Sequence, residues 1–398
     1  MDFLIGDELA TLRARVRTFV DERIIPVEDR IIAEDQATGA SATLAGLQEQ
    51  ARAAGLWTPH LPVENGGLGL GIMGMCALFR EMGRSMVGAR VFHCDAPDQG
   101  NMDLLLKAGS PAIQERYLGP LVRHEITSAF CMTEPAPGAG ADPSNLRTKA
   151  VQDGDDWVID GHKWYSTGGA AASFLIVMAR TSDDPRTGAS MFVVDRNAEG
   201  LEHVRDIDVM GPPLLAHREA ELRFHGVRVR SDAVLGQIGQ GFGLAQARLV
   251  PARLTHCMRW LGLASRALEM CRAYIARRES FGKKLGQHQF IQKMLADDAL
   301  AIHSGNLMTL HCAWMLENGS AGEARPYSSM AKTHVARTLC RVLDDAIQMH
   351  GGLGYSEDVP FSLWYRWARA SRIADGPDEV HQMVVARDFL KDRMRLLV

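Results

Sequence analysis

The helical periodicity of the C-terminal part is the feature that most constrains the fold of this chain. From Gly241 onward, apolar residues recur at steps of three and four, which is the spacing of one face of an α-helix. One such face carries Leu261, Ala264, Leu268, Cys271 and Ile275. The pattern predicts long helices over 244–279, 288–317 and 326–350, each ending near a glycine (Gly282, Gly319 and Gly351). Because the links between them are short, we expect an antiparallel bundle.

The middle of the chain has a different pattern. Between residues 126 and 234, short runs rich in β-branched and aromatic residues, such as SFLIVMAR and SMFVVD, predict a compact antiparallel β domain. Within DDWVIDGHKWYS, Asp160-Gly161 predicts a hairpin turn. Before residue 126 the helical spacing is seen again, for example in Leu9, Leu12, Val16 and Phe19. We therefore predict a mostly α chain with a β middle domain, divided into residues 1–125, 126–234 and 235–398.

The composition excludes several classes of protein. With 398 residues, of which 46% are apolar and 23% charged, the chain has the balance of a soluble globular protein with two or three domains. A net charge of −4 argues against a nucleic-acid partner. No apolar stretch reaches the ~18 residues of a membrane span, and MDFLIGDELATLRARV lacks the features of a signal peptide. Seven cysteines without C-x-x-C spacing predict a reducing, cytoplasmic setting.

One glycine motif resembles a nucleotide-binding fingerprint. Gly69, Gly71 and Gly74 match G-x-G-x-x-G, but that fingerprint requires a preceding strand and a βαβ unit. Here the segment follows helical sequence, so we interpret it as a glycine-rich loop that opens a helix. The sequence contains no H-E-x-x-H, G-x-S-x-G or Walker A motif, and its 14 histidines are dispersed. We therefore expect no metal site.

Four other segments combine glycines with charged or aromatic residues. Residues 130–150 suit either a nest of backbone N–H groups for phosphate oxygens or a flexible loop. Residues 277–289 offer an arginine for phosphate and a phenylalanine for a flat ring, or simply a solvated helix end. Residues 348–355 suit close backbone approach or a helix stop. Residues 372–382 contain Asp-Gly-Pro, which alone is better read as a turn than as a catalytic base.

Together, and in this order, these segments resemble the acyl-CoA dehydrogenase family. The resemblance rests on MTEPAPGAGAD, GHKWYSTGG, RRESFGKKLGQHQ, QMHGGLGY and YRWARASRIADGPDEVH, and it covers essentially the whole chain. It implies the acyl-CoA dehydrogenase fold: an N-terminal helical domain, an antiparallel β-barrel-like domain and a C-terminal four-helix bundle. It also implies FAD at a subunit interface of a homodimer or homotetramer.

Within the family, two segments point to one branch. HCMRWLGLA and ADGPDEVH are most similar to the branch that contains acyl-CoA dehydrogenase family members 10 and 11. Those members carry additional kinase-like sequence, which we do not find in these 398 residues. Part of that branch is associated with hydroxylated acyl chains, which hints at the substrate.

The resemblance assigns two groups of residues to FAD. In the flavin-side group, Tyr165 stands where the family has a tryptophan against the isoalloxazine ring, and Thr167 stands where a hydroxyl bonds flavin N5. Phe130, Met132 and Thr133 complete this group along the pyrimidine edge. The second group contacts the FAD of a neighbouring subunit and consists of Arg278, Phe281, Leu285, Gln289, Gln348, Gly351 and Gly352. Glu379 is also assigned to the cofactor, although an acid there equally suits the start of a helix.

The sequence departs from the family pattern in two places. The family has Gly-x-Gly-Ser-Asp after Thr-Glu-Pro, whereas this chain has two extra residues and Ala141 at the serine position. One hydroxyl donor to the cofactor is therefore lost. Pro377 replaces a threonine that often contacts FAD. We expect both changes to weaken FAD binding.

The resemblance assigns the catalytic base to Asp375, where the family has a glutamate before glycine. The implied reaction is the α,β-dehydrogenation of an acyl-CoA or acyl-carrier thioester, with the α proton going to Asp375 and the β hydrogen going as hydride to flavin N5. Aspartate is shorter than glutamate by one carbon, about 1.5 Å of reach. A flavin oxidase or monooxygenase on the same fold, such as a nitroalkane oxidase with an aspartate base, therefore stays an alternative. A scaffold without FAD is a third.

The substrate side is assigned to Arg253, Arg259 and Gly376. Arg253, His256 and Arg259 are spaced i, i+3 and i+6, so that the first two share a helix face. The alternative is an ordinary ion-paired helix surface. Because the sequence has neither iron–sulfur cysteine spacing nor C-x-x-C-H, we expect a separate electron-transferring flavoprotein to accept the electrons.

Overall fold

The computed structural model describes residues 5–184, 187–211, 215–216, 218–319 and 321–395. The helices that precede the sheet are α1 (Asp7–Phe19), α2 (Glu28–Thr38), α3 (Ala42–Ala53), α4 (Ile72–Met82), α5 (Gly88–Val91), α6 (Asp98–Ala108), α7 (Pro111–Ile113) and α8 (Gly119–Val122). Those that follow it are α9 (Gly241–Ile275), α10 (Gln289–Asn318), α11 (Ala321–His350), α12 (Gly352–Tyr355), α13 (Phe361–Arg369) and α14 (Asp378–Leu390).

The chain divides into two compact units. The first consists of Met1–Ile31, Leu70–Val91 and Val250–Val398, and the second of Ile32–Gly69 and Phe92–Leu249. The helices that precede the sheet are therefore divided between the two units, although they are consecutive in the sequence. The predicted sequence domains, with boundaries at 125/126 and 234/235, stay a prediction.

The second unit contains a sheet of seven strands. They are β1 (Ser128–Cys131), β2 (Lys149–Asp153), β3 (Asp156–Thr167), β4 (Phe174–Arg180), β5 (Ala189–Asp195), β6 (Leu201–Ile207) and β7 (Glu219–Arg230). Hydrogen-bonded neighbours follow the order β1-β4-β2-β3-β7-β6, and β5 pairs with β4. Most pairs are antiparallel, but β4 runs parallel to β1 and, through Arg180, to the first residue of β2, Lys149. The predicted β middle domain is confirmed, with a mixed sheet instead of a purely antiparallel one.

Strand β4 explains why its sequence is a continuous apolar run. Its residues alternate between two buried clusters, with Phe174, Ile176 and Met178 in one and Leu175, Val177 and Ala179 in the other. Successive side chains of a strand point to opposite faces. A strand covered on both faces therefore loses the alternation of apolar and polar residues.

The prediction of a hairpin at Asp160-Gly161 was wrong. These residues lie inside β3, at an irregularity in its pairing with β7, and the β2–β3 turn is at Gly154. A Cβ atom on residue 161 would lie 2.3 Å from the hydroxyl oxygen of Thr148. The glycine therefore permits a close approach of the backbone to a neighbouring segment, which sequence alone does not distinguish from a turn.

The first unit is helical, and its long helices form the predicted bundle. Helix α11 packs against α10, α13 and α14. The end of α9 meets the end of α11 where Tyr274 stacks on His350, with ring centroids 4.2 Å apart. Helix α4 begins directly after Gly71, as expected for the loop interpretation of the glycine motif.

Of the three glycines that were predicted to lie at helix ends, two do. Gly319 and Gly351 directly follow α10 and α11. Helix α9 ends earlier than predicted, and Gly282 lies in the turn of a small hairpin formed by β8 (Glu279–Ser280) and β9 (Lys283–Lys284). Across the described residues, no helix combines the length and the apolarity needed to cross a membrane. None of the seven cysteines, all of them described, forms a disulfide.

Candidate active site

The corner that carries Asp375 has an unusual backbone. Asp375 has φ of +54° and Gly376 has φ of +107°, so two consecutive residues before α14 lie in the left-handed region. A Cβ atom on residue 376 would lie 2.9 Å from Nε2 of His381, which favours glycine there. A non-glycine residue with positive φ is uncommon and persists only where the surrounding structure fixes it.

Three side chains hold the carbonyl groups of this corner. Arg253 Nε and His381 Nε2 donate to the Asp375 carbonyl oxygen at 2.9 and 3.2 Å. Lys332 Nζ donates to the Gly376 carbonyl oxygen at 2.6 Å. Burial lowers the pKa of His381 to about 4, so that its imidazole is neutral. These contacts fix the backbone from which the Asp375 carboxylate projects.

The Asp375 carboxylate itself faces helix α9. Its Oδ2 lies 3.3 Å from Nε2 of His256, and the two side chains are 20% and 21% exposed. Nδ1 of His256 lies 2.9 Å from Nη2 of Arg259, a residue that is buried. The predicted face of Arg253 and His256 therefore meets Asp375. Arg259, Arg253 and Gly376 belong to this corner, and their contact with a substrate stays a prediction.

The two other acids of the segment have different environments. Asp378 begins α14, is buried, and accepts hydrogen bonds from Arg337 Nε at 2.9 Å and Arg372 Nε at 2.8 Å. Burial raises the pKa of Asp378, but the two guanidinium groups outweigh this, and the pKa lies below its usual value. Glu379 is exposed, and its contact with the cofactor stays a prediction.

The flavin-side residues lie on two adjoining segments of the second unit. Phe130 is on β1, followed by Met132 and Thr133, while Tyr165 and Thr167 are on β3. The backbone N–H of Trp164 donates to the Thr133 carbonyl at 3.1 Å, and Lys163 Nζ donates to the Met132 carbonyl at 2.9 Å. The structure thus brings these two predicted segments together.

A buried ion pair fixes this arrangement, and the sequence reasoning did not identify it. Lys163 Nζ lies 2.8 Å from Glu134 Oε1, with side-chain exposures of 0% and 2%. Glu134 also accepts from the backbone N–H groups of Ala139, Arg147 and Thr148. Burial raises the pKa of Glu134, but Lys163 and these donors lower it overall. The only available signal was that both residues lie within segments that carry the family resemblance.

Ala141 lies on the loop that Glu134 closes, and it is exposed. The two predicted extra residues belong to this loop. Because Glu134 holds Ala139 on one side and Arg147 on the other, the loop is anchored at both ends. Whether Ala141 contacts FAD stays a prediction.

Tyr165 shows the feature that best fits a bound flat ring. Its φ is +50°, its side chain is 45% exposed, and the pairing of β3 with β7 shifts between Lys163 and Ser166. Bulges of this kind re-aim side chains and are frequent beside active sites. Nearby, the hydroxyl of Thr167 lies 2.9 and 3.1 Å from the oxygens of Glu219, whose pKa burial raises. An exposed aromatic ring beside a hydroxyl fits the isoalloxazine group of FAD.

The second cofactor group lies at one end of the bundle in the first unit. Arg278, Phe281 and Leu285 belong to the β8–β9 hairpin region, and Gln289 begins α10. The backbone N–H of Arg278 donates to the carbonyl of Tyr274, whose ring stacks on His350. The hairpin therefore lies beside the end of α11, which carries Gln348, Gly351 and Gly352. Phe281 has φ of +52° and is 95% exposed, which fits a ring that a partner covers.

The described residues also contain a cluster of possible metal ligands, which the dispersal of the histidines along the sequence did not suggest. His93, Asp98 and His124 place ligand atoms within 4.8 Å of one another. His93 Nε2 donates to the Leu121 carbonyl at 2.8 Å, and Asp98 accepts from the Ser128 N–H and hydroxyl at 2.9 and 2.6 Å. His93 and Asp98 are thus hydrogen-bonded within the protein, as expected of polar side chains in a core.

Three family models match the chain in sequence order. They are the acyl-CoA dehydrogenase N-terminal domain at residues 6–125, the middle domain at 129–227 and the C-terminal domain at 239–390. The chain belongs to the acyl-CoA dehydrogenase family, and both the suspected resemblance and the predicted fold class are confirmed.

Individual relatives agree with the family models. Acyl-CoA dehydrogenase family member 11 of Rattus norvegicus is 35% identical over 98% of this chain, and this chain spans about half, 51%, of that relative. The Mycobacterium tuberculosis protein named "Probable acyl-CoA dehydrogenase FadE2" is 36% identical over 97% of this chain and 96% of its own.

Solved structures show the same fold. A candidate acyl-CoA dehydrogenase from Mycobacterium abscessus is 38% identical, with a TM-score of 0.92 over 98% of this chain and 100% of its own. Glutaryl-coenzyme A dehydrogenase in its glutaryl-CoA complex is 28% identical, with a TM-score of 0.87 over 98% of this chain and 97% of its own.

Proposed function

We propose that this chain is an FAD-dependent oxidoreductase that catalyses the α,β-dehydrogenation of an acyl-CoA or a related acyl thioester. The observation that carries the proposal is the Asp375 corner. A carboxylate on a left-handed backbone, held through its carbonyl by Arg253 and His381, occupies the position that resembles the catalytic base of the family. The glutaryl-CoA complex of a relative supports a thioester substrate.

In this proposal, Asp375 removes the α proton of the bound thioester. FAD, when bound, supplies the redox chemistry by taking up the β hydrogen as hydride. The cationic groups Arg253 and Lys332 bind carbonyl oxygens of the corner and so fix the backbone that carries the carboxylate. The backbone N–H of Asp375 is proposed to donate to the thioester carbonyl, which would make the α proton more acidic.

The residues that would hold FAD come from two surfaces. Phe130, Met132, Thr133, Tyr165 and Thr167 would contact the flavin, and the group that includes Arg278 and Gln348 would contact the ADP half from another subunit. The nearly complete exposure of Phe281 supports a homo-oligomeric arrangement, a dimer or a tetramer. A dependence of FAD binding on assembly follows from it.

The assembly proposal is tested with Arg278→Ala. This change should release FAD and shift the sedimentation coefficient toward the monomer in the same sample, because one side chain serves both contacts. Lys293→Ala, on the exposed face of α10, is a control that should change neither. A stable FAD-loaded monomer would contradict the proposal.

The electron acceptor, the pathway and the compartment are also proposed. The electrons would pass to an electron-transferring flavoprotein, the pathway would be fatty acid metabolism, and the setting would be the cytoplasm. Whether CoA or a carrier protein carries the thioester is tested by offering the protein acyl thioesters of both kinds. The absence of disulfides among the seven described cysteines is compatible with a reducing compartment.

An anaerobic panel of acyl thioesters tests the main proposal. The FAD-loaded protein is mixed with each thioester, and the loss of visible flavin absorbance is recorded. We expect at least one acyl-CoA to reduce the flavin, with slow peroxide formation when air is admitted. Rapid stoichiometric peroxide, or reduction by nitroalkanes and by none of the thioesters, would favour the oxidase alternative.

A further inference from the structure

We infer that His381 is a positioning residue that keeps the backbone of Asp375 in its left-handed conformation, and that Ser329 acts on Asp375 through His381. Such support is needed because Asp375, which is not a glycine, has a φ of +54°. A residue with a side chain persists in this region only where the surrounding structure fixes the backbone. The use of Asp375 as a base rests on the proposed function, whereas the hydrogen bonds of His381 do not depend on it.

Both ring nitrogens of His381 have a hydrogen-bond partner. Nε2 lies 3.2 Å from the carbonyl oxygen of Asp375, and Nδ1 lies 3.0 Å from the hydroxyl oxygen of Ser329. A carbonyl oxygen can only accept, so Nε2 carries a proton and donates. Burial, followed by the charges of Arg253 and Lys332, lowers the pKa of His381 to about 4, so the ring is neutral at physiological pH. Nδ1 is therefore the acceptor, and the Ser329 hydroxyl donates to it.

Each of these two contacts has a separate role. The Asp375 carbonyl selects the tautomer, because with the proton on Nδ1 the lone pair of Nε2 would face the lone pairs of that oxygen. The Ser329 hydroxyl holds the opposite side of the ring and so opposes rotation of the imidazole away from the carbonyl. Ser329 and His381 are each 2% exposed, and a polar atom without a partner is unfavourable at such a depth. The pair therefore keeps one donor directed at Asp375.

The ring of His381 also lies directly against the residue that follows Asp375. A Cβ atom on residue 376 would be 2.9 Å from Nε2 of His381 and 3.4 Å from its Cε1. Gly376 has a φ of +107°, so both the backbone and the ring of His381 require glycine at this position. The imidazole therefore fills the space beside the peptide that joins Asp375 to Gly376 and leaves this peptide little room to rotate.

Helix α11 and the start of α14 provide these supports. Ser329 and Lys332 are three residues apart on α11, so they lie on one helix face. Lys332 donates to the Gly376 carbonyl directly at 2.6 Å, whereas Ser329 acts on the preceding carbonyl through His381. His381 lies in the first turn of α14, where its backbone N–H donates to the carbonyl of Pro377 at 3.2 Å. The corner is therefore held by groups on regular helices.

This support matters for a base that must be placed accurately. The φ of Asp375 sets the direction in which its side chain leaves the backbone, so a relaxation of φ would move the carboxylate. A displacement of about 1 Å can lower a rate by about a hundredfold. Because Arg253 Nε also donates to the Asp375 carbonyl, at 2.9 Å, loss of the His381 donor should free the corner only part of the time. We therefore expect a moderate loss of rate and not complete inactivation.

Variants of His381 test the positioning role. In His381→Gln, the side-chain N–H can donate to Asp375 and the side-chain oxygen can accept from Ser329, whereas His381→Leu keeps bulk and makes neither bond. In single-turnover flavin reduction by the best thioester, the limiting rate should fall about tenfold in His381→Leu and recover most of its value in His381→Gln. FAD content and the thioester dissociation constant should change less than the rate. Equal limiting rates in the two variants would overturn the role.

A matched control and a double variant separate positioning from packing. His334 of α11 also donates from Nε2 to a backbone carbonyl at 3.0 Å, but its partner Ala301 belongs to α10 and not to the corner. His334→Leu should therefore leave the limiting rate near that of the wild type. Ser329→Ala should slow flavin reduction when His381 is present and have no further effect in His381→Leu, because Ser329 acts through His381. Equal losses in both backgrounds would overturn the part assigned to Ser329.

The two hydrogen bonds have their own test, which does not require turnover. Nitrogen-15 NMR of the FAD-loaded, histidine-labelled protein should show His381 as the Nε2–H tautomer, with its signals assigned by their loss in His381→Gln. In Ser329→Ala, the signal of the unprotonated Nδ1 should move to higher chemical shift, because this nitrogen loses its donor. A wild-type Nδ1–H ring, or an Nδ1 signal that Ser329→Ala leaves in place, would overturn the inference. If no thioester reduces the flavin, the proposed function fails, but this spectrum still decides the two hydrogen bonds.

Discussion

Two carboxylates from family-like segments, Glu134 in the second unit and Asp375 in the first, have opposite surroundings. Glu134 is 2% exposed and receives a lysine and three backbone N–H groups on its oxygens. Asp375 is 20% exposed, its Oδ2 lies 3.3 Å from Nε2 of His256, and Arg253 and Lys332 bind carbonyl oxygens of the corner. A cation on a carboxylate stabilises the charged form and makes it a poor base. At Asp375, two cationic side chains hold the backbone carbonyls of the corner and so fix the point from which the carboxylate projects.

The same difference separates two acids that are three residues apart. Asp378 accepts from the guanidinium groups of Arg337 and Arg372, which lower its pKa against the effect of burial. It therefore resembles Glu134 more than its neighbour Asp375. Position in the segment alone therefore does not show that Asp378 is a structural acid, whereas its burial and its two arginine partners do.

The largest effect is expected for Asp375→Asn. The amide keeps the shape but cannot accept the α proton, so single-turnover flavin reduction should fall by about 10³- to 10⁴-fold. FAD content and the urea midpoint should stay near those of the wild type. Reduction at the wild-type rate would mean that the base lies elsewhere and that the corner is only a turn.

Asp375→Glu tests whether the backbone of this corner is placed for an aspartate. If the backbone is placed for a shorter acid, the added carbon will crowd the substrate, and flavin reduction should slow by about a hundredfold. The measurement is the same single-turnover experiment, with thioester affinity determined in parallel. A faster Asp375→Glu enzyme would show that the corner does not compensate for the shorter side chain.

The second largest effect is expected for Glu134→Gln, and it should appear in stability. This change leaves the Lys163 ammonium buried without its carboxylate, and breaking one half of a buried pair costs about 3–5 kcal/mol. Replacing both residues, Glu134→Gln with Lys163→Met, should recover part of the loss. Urea unfolding of the two singles and the double provides the cycle, and a single variant within about 0.5 kcal/mol of the wild type would contradict it.

Much of the fold could be predicted from the sequence because its signals are local. The long amphipathic helices α9, α10 and α11 follow from residue spacing. The doubly buried strand β4 follows from an unbroken apolar run. The parallel pairing of β1 with β4 could not be predicted, since strand direction depends on residues distant in the chain. The hairpin prediction at Asp160-Gly161 was wrong for a related reason, because the residue that Gly161 approaches, Thr148, lies on another segment.

The candidate site likewise contains residues that the sequence predicted and residues that it did not. Spacing on one helix placed Arg253 and His256 on a common face, and both contact Asp375. Lys332 was not identified because it lies on α11, distant in the chain from the corner. His381 lies within the quoted segment ADGPDEVH, but its hydrogen bond to the Asp375 carbonyl is visible only in the structure. Glu134 and Lys163 were quoted within family-like segments, but only burial identifies them as a pair.

A smaller effect is expected for Asp378→Asn. The change removes the charge from two hydrogen-bonded ion pairs whose arginines are partly exposed, so the loss should be about 2 kcal/mol. Flavin reduction should stay within a few-fold of the wild type, unlike that of Asp375→Asn. Urea unfolding and single-turnover kinetics on the same preparation check both. A large loss of rate with unchanged stability would reverse the roles of the two acids.

The last effect is one of pH dependence and concerns Asp298, a buried acid of α10. Asp298 accepts from Arg341 Nε at 3.2 Å. Burial, together with repulsion from Asp345, raises its pKa from 3.8 to about 7. The folded state therefore binds this proton more tightly than the unfolded state, and the wild type loses stability as the pH rises from about 4 to about 7. Asp298→Asn cannot ionise, so its stability relative to the wild type should increase across this range.

Asp378→Asn is the matched control for Asp298→Asn, with the opposite sign. The lowered pKa of Asp378 means that its contribution is fully present above pH 4 and is lost as the pH falls through its folded-state value. The deficit of Asp378→Asn should therefore shrink in acid, while the relative gain of Asp298→Asn grows toward neutrality. Urea midpoints of both variants and the wild type, measured from about pH 2 to about pH 8, check the two slopes, that of Asp378→Asn below about pH 4 and that of Asp298→Asn above it. If the differences from the wild type were independent of pH for both variants, the cations around these acids would not control their proton binding.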